Sequence, residues 1–562
     1  MGSAHPTNKL ANNVICSPGI FAISSTIVVG KVLTNVQKTA LQILTLMAFL
    51  SLKLLLDGNM GKVNEVDILP LAKQYADPTW IPGDWYLNQP PGYRLLFLAL
   101  FGRLAGKWGF LATSLIGRLV CYALVSSGLV LLSRRLGLSL PLLLLAVGLF
   151  LYEDRFQGAT AHEWLVGGLE PKSVAYGLLL LAVSLMLDGR YRWMALMLGL
   201  ATSFHVLVGG WAFLAVVGWL VLRRKTDFAD IRYLGSVLLI YLAASAFAVM
   251  PVLEQLFIAT PTGSVQPSYL YVFVRLPHHL NPLSWSFGWW SGPLAYLLLL
   301  ALSIGLLWAA QDSEKFSFAY KACIGLAEFT LITLVPFILG LAVAPFDSQG
   351  NILQYYPFRL GDIMLPLNTC LLFACALEQT WTGRARRGLL LVCILLLSWM
   401  CNTQVIQFQE QLQALRQFPN KEQGVNPEWK ALCAWIRTYT PKNALVVSPP
   451  AEFNNFTWLA ERPTIAKFKL LPQNKAAIMA WYERLTDLSG GLYPWPNVTN
   501  TEDNREEIEK KLTTGYNHLT TAQAEDLMVK YRADYFVTRI KHQLNLPIAY
   551  RNSRYILYGK TH

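Results

Sequence analysis

Two carboxylates, Glu65 and Asp67, stand two residues apart in the stretch NEVD (64–67). On an extended segment such a pair faces one way and can ligate a divalent cation, Mg or Mn, or a phosphate-bound metal. On a helix the two would diverge by roughly 200°. A second cluster, AHEWLVGGLEPKSVAYG (161–177), carries His162, Glu163, Glu170 and Lys172 into an apolar run. An acid at a helix start is favoured by the helix dipole; a lysine there is not, which points to an anionic partner. His205, in SFHVLVGGWAF, falls where two short apolar segments meet. Ionisable residues at membrane depth are costly and mark sites or pathways. RLPHHLNPLSW places Arg275, His278 and His279 between prolines. Adjacent histidines point apart on a strand, so no two-histidine metal clamp is expected, but one of them can act as acid or donor near pH 7. In YYPFRLGD, Arg359 opens an apolar run beside Asp362. It can grip a phosphate bidentately, or snorkel to the interface and pair with Asp362.

The elements that must position these residues are hydrophobic. Of 562 residues, 54% are hydrophobic and only 14% charged, with a mean hydropathy of +0.37. Soluble domains carry about 25% charged residues, so most of this surface does not face water. Apolar runs fall at about 39–56, 110–132, 137–152, 173–187, 193–207, 208–222, 233–253, 292–310, 321–345, 361–379 and 388–402. They predict a mainly α, polytopic bundle of about eleven spans, the runs of about 18 residues or more being long enough for a hydrocarbon core of roughly 30 Å and the pair from 193 to 222 being short for it. Residues 92–107 are apolar but interrupted by Arg94, Arg103 and Lys107, the pattern of an interfacial or re-entrant helix.

The net charge of +13 comes from lysine and arginine gathered in short loops, as the positive-inside rule expects. No nucleic-acid partner is expected. Arg134–Arg135, Arg190 with Arg192, Arg223–Lys225 and Arg384–Arg387 all fall on one side if the N-terminal tail (1–38) is cytoplasmic. The long loops 57–109, 153–172, 254–291 and 346–360 then lie outside, with the residues singled out above except His205 and Asp362. The eight cysteines form no CxxC pair and imply no disulfide framework.

After residue 402 the hydrophobicity drops, and 403–562 reads as a small extracytoplasmic α/β domain of ordinary size. PEWKALCAWIRTYT predicts an amphipathic helix with Trp429 and Trp435 inward. NALVVSPP, TIAKFKLL and SRYILYG predict strands, and AQAEDLMVKYRADYFVTRI passes from helix to strand. Lys467, Lys469 and Arg484 are expected to face polar surroundings.

The order of these parts resembles the GT-C superfamily of integral-membrane glycosyltransferases: a first span, a long outer loop with an acidic motif and an interfacial helix, many spans, and an outer C-terminal domain. Glu65-Val66-Asp67 stands where that superfamily puts its acidic pair. The segments GGLEPKSVAYG, FHVLVGGW, PHHLNP, YYPFR and RNSRYILYG also resemble a bacterial multispan family seen notably in photosynthetic bacteria. The resemblance implies transfer of a sugar from a polyprenyl-phosphate carrier to a glycan, lipid or protein acceptor at the outer face of a bacterial inner membrane. Asp67 would then be the general base, with Glu65 its partner or a metal ligand. Arg359 would clamp the phosphate, with Lys172, His278 and His279 as further donors and Glu170, His162, His205 and Arg275 completing the binding set. No WWDYG-type acceptor signature is present. Two other classes fit parts of the sequence. A membrane scaffold or assembly factor suits the aromatics and the extra domain but leaves Glu65, Asp67 and Arg359 idle. A transporter should show inverted repeats and mid-span charges, which the sequence lacks. The glycosyltransferase reading carries a spatial requirement: Asp67, Arg359 and one of Lys172, His205 or His278 must meet in one pocket within roughly 10–15 Å.

Overall fold

Leucine-rich runs satisfy their backbone hydrogen bonds internally as helices, as a chain in hydrocarbon must. The computed structural model describes residues 34–57, 64–152, 157–223, 231–256, 265–311, 317–380, 426–491 and 503–560. With single-turn helices left unnumbered, the first part of the chain forms α1 (Asn35–Asp57), α2 (Glu65–Ala76), α3 (Leu95–Arg135), α4 (Leu140–Phe150), α5 (Pro171–Leu187) and α6 (Tyr191–Phe204). It continues with α7 (Val206–Arg223), α8 (Ile231–Leu256), α9 (Ser291–Ala309), α10 (Ser317–Val343) and α11 (Arg359–Thr380). Six helical stretches among the described residues are long and apolar enough to cross a membrane: Gly92–Arg135, Val206–Arg223, Arg232–Glu254, Phe287–Ala309, Ala319–Val343 and Arg359–Gln379. Leu140–Phe150 and Pro171–Leu187 are shorter apolar helices. The run 388–402 lies outside the described residues.

One sequence expectation changes here: the loop expected over 57–109 contains α2 and the first third of α3. The 92–107 stretch does form a helical segment of its own, set off within the 41-residue α3 by non-helical backbone at Gly109 (φ 77°, ψ 174°). Only glycine takes that backbone without a steric penalty, so the break is fixed by one residue.

α11 is almost wholly buried and packs against α4, α9 and α10, while α3 packs against both α2 and α5. At one end of the bundle Arg135 pairs with Asp188, Ser139 bonds Glu378 and Arg223 pairs with Glu328. These contacts join α3 to α5, the turn before α4 to α11, and α7 to α10. The opposite end is formed by α2, the segments 157–170 and 265–290, and residues 344–358.

The C-terminal domain sits on that opposite end. Its sheet runs β1 (Val446–Val447), β2 (Tyr535–Arg539), β4 (Tyr555–Gly559), β3 (Ile548–Arg551) in spatial order, with β1 parallel and the other pairs antiparallel. Alternation along the strands gives it two buried faces. Val537, Tyr555 and Leu557 pack against Trp429 and Ile436 of α12 (Pro427–Tyr439). Phe536, Ile556 and Tyr558 pack against α13 (Lys475–Leu488), α14 (Arg505–Asn517) and α15 (Thr521–Tyr531). The helix expected over 427–440 and the passage from helix to strand over 522–540 are present. TIAKFKLL is not a strand: only Thr464 makes an isolated bridge, to Val446. Lys467 is buried rather than polar-facing, its ammonium donating to the carbonyls of Pro449 (2.6 Å) and Glu452 (3.2 Å). Burial pushes this lysine down to about 7.

The domain is tied to α2 and the turns that follow it. Glu461 takes Lys73 (3.3 Å) and the Trp80 indole N–H (2.7 Å), and the Thr464 amide donates to Asp84 (3.1 Å). Trp458 stacks on Phe110, with ring centroids 4.5 Å apart. Leu270 and Val274 of the bundle complete one of the domain's two cores.

Candidate functional site

α2 opens with Glu65 and Asp67 in its first turn, where the helix dipole favours acids. Because the segment is helical, the two point apart, and the paired-ligand geometry expected for an extended stretch does not form. Glu65 is fully buried and turned into the bundle. Arg118 donates to it through Nε (2.7 Å) and Nη2 (2.9 Å), Ser114 through its hydroxyl (2.8 Å), and Leu169 through its amide. With both oxygens bonded, it ties α2 to α3 and to the 157–170 segment. It is neither a metal ligand nor a partner to Asp67.

The 157–170 segment has no regular structure, and two side chains hold its backbone. Asp362 accepts the amides of Thr160 (2.7 Å), Ala161 (2.8 Å) and Glu163 (3.1 Å). Gln157 accepts those of Leu165 and Val166, both at 2.8 Å. Asp362 is thus a backbone cradle and not the partner of Arg359. That partner is Glu163. One Glu163 oxygen takes Nε and Nη2 of Arg359, both at 2.8 Å, and the other takes Lys172 Nζ at 3.0 Å. Burial alone would raise this carboxyl, but Arg359 and Lys172 hold it well below the usual range. Arg359 Nη1 lies 3.1 Å from His205 Nε2, and its guanidinium sits 3.7 Å from the centre of the Tyr356 ring. Tyr356 reaches that place from a left-handed backbone (φ 53°), a strained conformation of the kind that gathers at functional sites.

One cavity of about 170 Å³ opens in front of this network, lined among others by Asn64, Asp67, Tyr86, Tyr93, Arg94, Glu170, Lys172, His205, Tyr271, Arg275, His279, Tyr356, Arg359, Lys469 and Gln473. It thus brings together Asp67, Glu170, Lys172, His205, Arg275, His279 and Arg359. It leaves out three residues named from sequence. Glu65 faces the bundle, as described. His162 packs on Trp289, ring centroids 3.9 Å apart, and His278 stacks behind His279 at the same separation. His279 Nδ1 is 2.6 Å from the Ala161 carbonyl, and burial pushes its imidazole down to about 3. Burial likewise drives His278 far below the ordinary histidine range. Burial thus disfavours the charged form of both rings, and His279 hydrogen-bonds a backbone carbonyl rather than an acid.

Sequence reasoning missed Arg94, Lys469 and the four tyrosines. Arg94 read as an interruption in an apolar stretch. Lys469 comes from the C-terminal domain and reaches Asp67 at 3.4 Å. Asp67 is raised by burial, against the pull of Lys469, Arg275 and Arg94. Glu170 is raised by burial too, against Lys172 (3.9 Å) and Asn64. Asp67 Oδ1, Glu170 Oε1 and Arg275 Nε are buried and have no hydrogen-bond partner.

Five cationic side chains thus surround two carboxylates in the cavity wall. Like-charge repulsion makes this a poor place for a divalent cation and a good one for an anion. No cluster of three or more His, Cys, Asp or Glu side chains able to hold a metal occurs among the described residues. The residues do not fit the Mg or Mn expected from sequence.

A family model described as "Domain of unknown function (DUF6798)" matches residues 427–488. That span runs from α12 to the end of α13 and includes Lys467, Lys469 and Gln473. No curated protein matches the chain.

Proposed function

We propose that this chain is a membrane-embedded glycosyltransferase of the kind its GT-C resemblance implies, using a polyprenyl-phosphate-linked sugar. One observation carries the reading. Asp67, with one buried oxygen unpartnered, lines the same cavity as five cationic side chains and within reach of the C-terminal domain. In the reaction the acceptor hydroxyl loses its proton to Asp67, and its oxygen forms a bond to the sugar's anomeric carbon. The bond from that carbon to the phosphate oxygen breaks, and the electron pair leaves with polyprenyl phosphate. Burial makes Asp67 a stronger base than an exposed aspartate, and the cationic wall stabilises the charge that develops on the departing phosphate. No metal takes part in this scheme.

The one-sided arginines support a cytoplasmic N-terminus, with the cavity and the C-terminal domain extracytoplasmic. Apolar surface around α8, α9 and α10, including Leu239, Phe247, Leu298, Leu302 and Ile338, is exposed as a lipid-facing surface would be.

The test uses full-length protein in vesicles with a panel of short-chain polyprenyl-phosphate hexoses, following release of polyprenyl phosphate. Release with at least one donor, lost in Asp67→Asn at unchanged protein level, is the expected result. Equal release by wild type and Asp67→Asn, or none with any donor, would overturn the reading.

A further inference from the structure

Arg359, the phosphate clamp suggested by the sequence, is fully engaged: two of its nitrogens serve Glu163, the third meets His205, and its face covers Tyr356. Lys172 is held by the same Glu163, and Lys469 by Asp67. Two cavity cations differ. Among the described residues neither Arg94 nor Arg275 makes an ion pair. Arg94 has the Tyr86 hydroxyl as its hydrogen-bonding neighbour. Arg275 gives one nitrogen to the Lys469 carbonyl at 3.3 Å, while its Nε is buried without a partner.

We infer that Arg94 and Arg275 form the anion-binding pair of the cavity, and that Arg359 is a positioning residue that does not touch the ligand's phosphate. The assignment rests on the transferase reading for its place in a reaction, but it stands on the geometry of the cations alone. Arg94 closes the turn that begins α3, and Arg275 ends a π-helical segment, Leu270–Arg275. Such short π-helical segments often accompany functional sites. Both arginines line the same cavity as Asp67, the carboxylate assigned as base, and act electrostatically on it. A planar guanidinium with free donors suits a phosphate better than one already forked onto a carboxylate.

The unpartnered atoms extend the argument to ligand chemistry. Arg275 Nε needs an acceptor, and Asp67 Oδ1 and Glu170 Oε1 need donors. A phosphorylated polyol supplies both: phosphate oxygens for the arginine and sugar hydroxyls for the carboxylates. A lipid-linked sugar phosphate and a free one share this chemistry.

The experiment measures binding of inorganic phosphate, glucose 1-phosphate and farnesyl phosphate to the full-length protein in detergent, by calorimetry. Arg94→Gln and Arg275→Gln should each weaken the best-bound probe by about tenfold or more, the loss of one charge-assisted hydrogen bond. Arg359→Lys, which keeps a cation on Glu163, should stay within about threefold. Arg94→Lys and Arg275→Lys serve as second variants where the glutamine forms do not fold, and should also bind more weakly. Tighter binding of farnesyl phosphate than of glucose 1-phosphate supports the clamp with a lipid carrier; the reverse order supports it with a soluble ligand. Wild-type affinity in all the Arg94 and Arg275 variants, a loss in Arg359→Lys as large as in Arg275→Gln, or no binding of any probe by wild type would overturn the assignment. Phosphate binding that depends on Arg94 and Arg275 without any transfer would sink the transferase reading and leave the clamp intact.

Discussion

A buried carboxylate shared by two cations is costly to unpair, because each cation left behind stays desolvated. Glu163 holds both Arg359 and Lys172, so Glu163→Gln should cost about 3–5 kcal/mol of stability, seen as a lower melting temperature in detergent. A melting temperature unchanged from wild type would show that water already screens the network. Asp67 yields a pH prediction. A general base works only when ionised, and burial raises this carboxyl, so transfer should rise with pH along a limb lying above the ordinary aspartate range. Lys469 is among the groups that lower it. Removing that charge in Lys469→Met should therefore move the limb to higher pH, while a purely structural lysine would change the rate without moving it. Asp67 and Arg359 were legible in sequence because charges stand out beside apolar runs. Glu163 stands in the second cluster without a role of its own, since nothing local shows that Arg359 lies opposite it, 196 positions away. Lys469 was hidden for the same reason, its partner lying in α2 near the start of the chain.

Among the elements, apolar runs announced the helices well, because length and hydrophobicity alone decide them. α2 falls in the stretch expected as an outer loop, 57–109, yet it is a helix with Pro70 inside. Pro70 is the sixth residue of that helix, past the first turn, so the helix forms at the cost of the bond its N–H would make to the Val66 carbonyl. The expectation of a loop carried the Glu65–Asp67 pairing with it, because side-chain direction depends on whether the period is two or 3.6. The 157–170 segment had no periodicity to read, and its shape depends on the Asp362 cradle. A Cβ on Gly158 would lie 1.9 Å from Asp362 Oδ2, so Gly158→Ala must displace the cradle. It should reduce transfer and lower the melting temperature together, whereas Ala at the unobstructed Gly210 of α7 should leave both near wild type. Asp84 links the turns after α2 to the C-terminal domain, and burial raises its carboxyl to about 6. A group raised on folding stabilises the folded state below its unfolded value and loses that contribution as pH rises through the folded one. Stability should thus fall between about pH 4 and pH 7, and Asp84→Asn should show a shallower fall in the same melting series.

For the whole molecule, orientation and domain docking are separate questions. Among the described residues, Arg135 and Arg223 of the set behind the proposed orientation lie at the end away from the cavity, so a cysteine at Arg135 should resist an impermeant reagent applied to intact cells, while one at Lys510 should react. The reverse labelling would place the cavity in the cytoplasm and remove the argument for an extracytoplasmic donor. Composition places a boundary after residue 402, outside the described residues, and says nothing of how the domain depends on the rest. Its sheet is covered on one face by α12, and its other core includes Leu270 and Val274 of the bundle. A domain that borrows core residues is incomplete when cut out. Two apolar side chains of this kind contribute about 1.5–3 kcal/mol each when fully buried, a large part of the 5–15 kcal/mol that holds an ordinary domain together. Residues 403–562 produced alone should therefore melt well below the same sheet in the full chain and bind a hydrophobic dye at the uncovered face. Leu270→Asp with Val274→Asp in the full chain should loosen the domain and, by withdrawing Lys469 from Asp67, shift the pH limb of transfer upward as Lys469→Met does. An isolated domain as stable as the intact one would show that the shared core adds nothing, and Lys469 would then have to be held by the contacts of Glu461 and Thr464 with α2 and the turns after it.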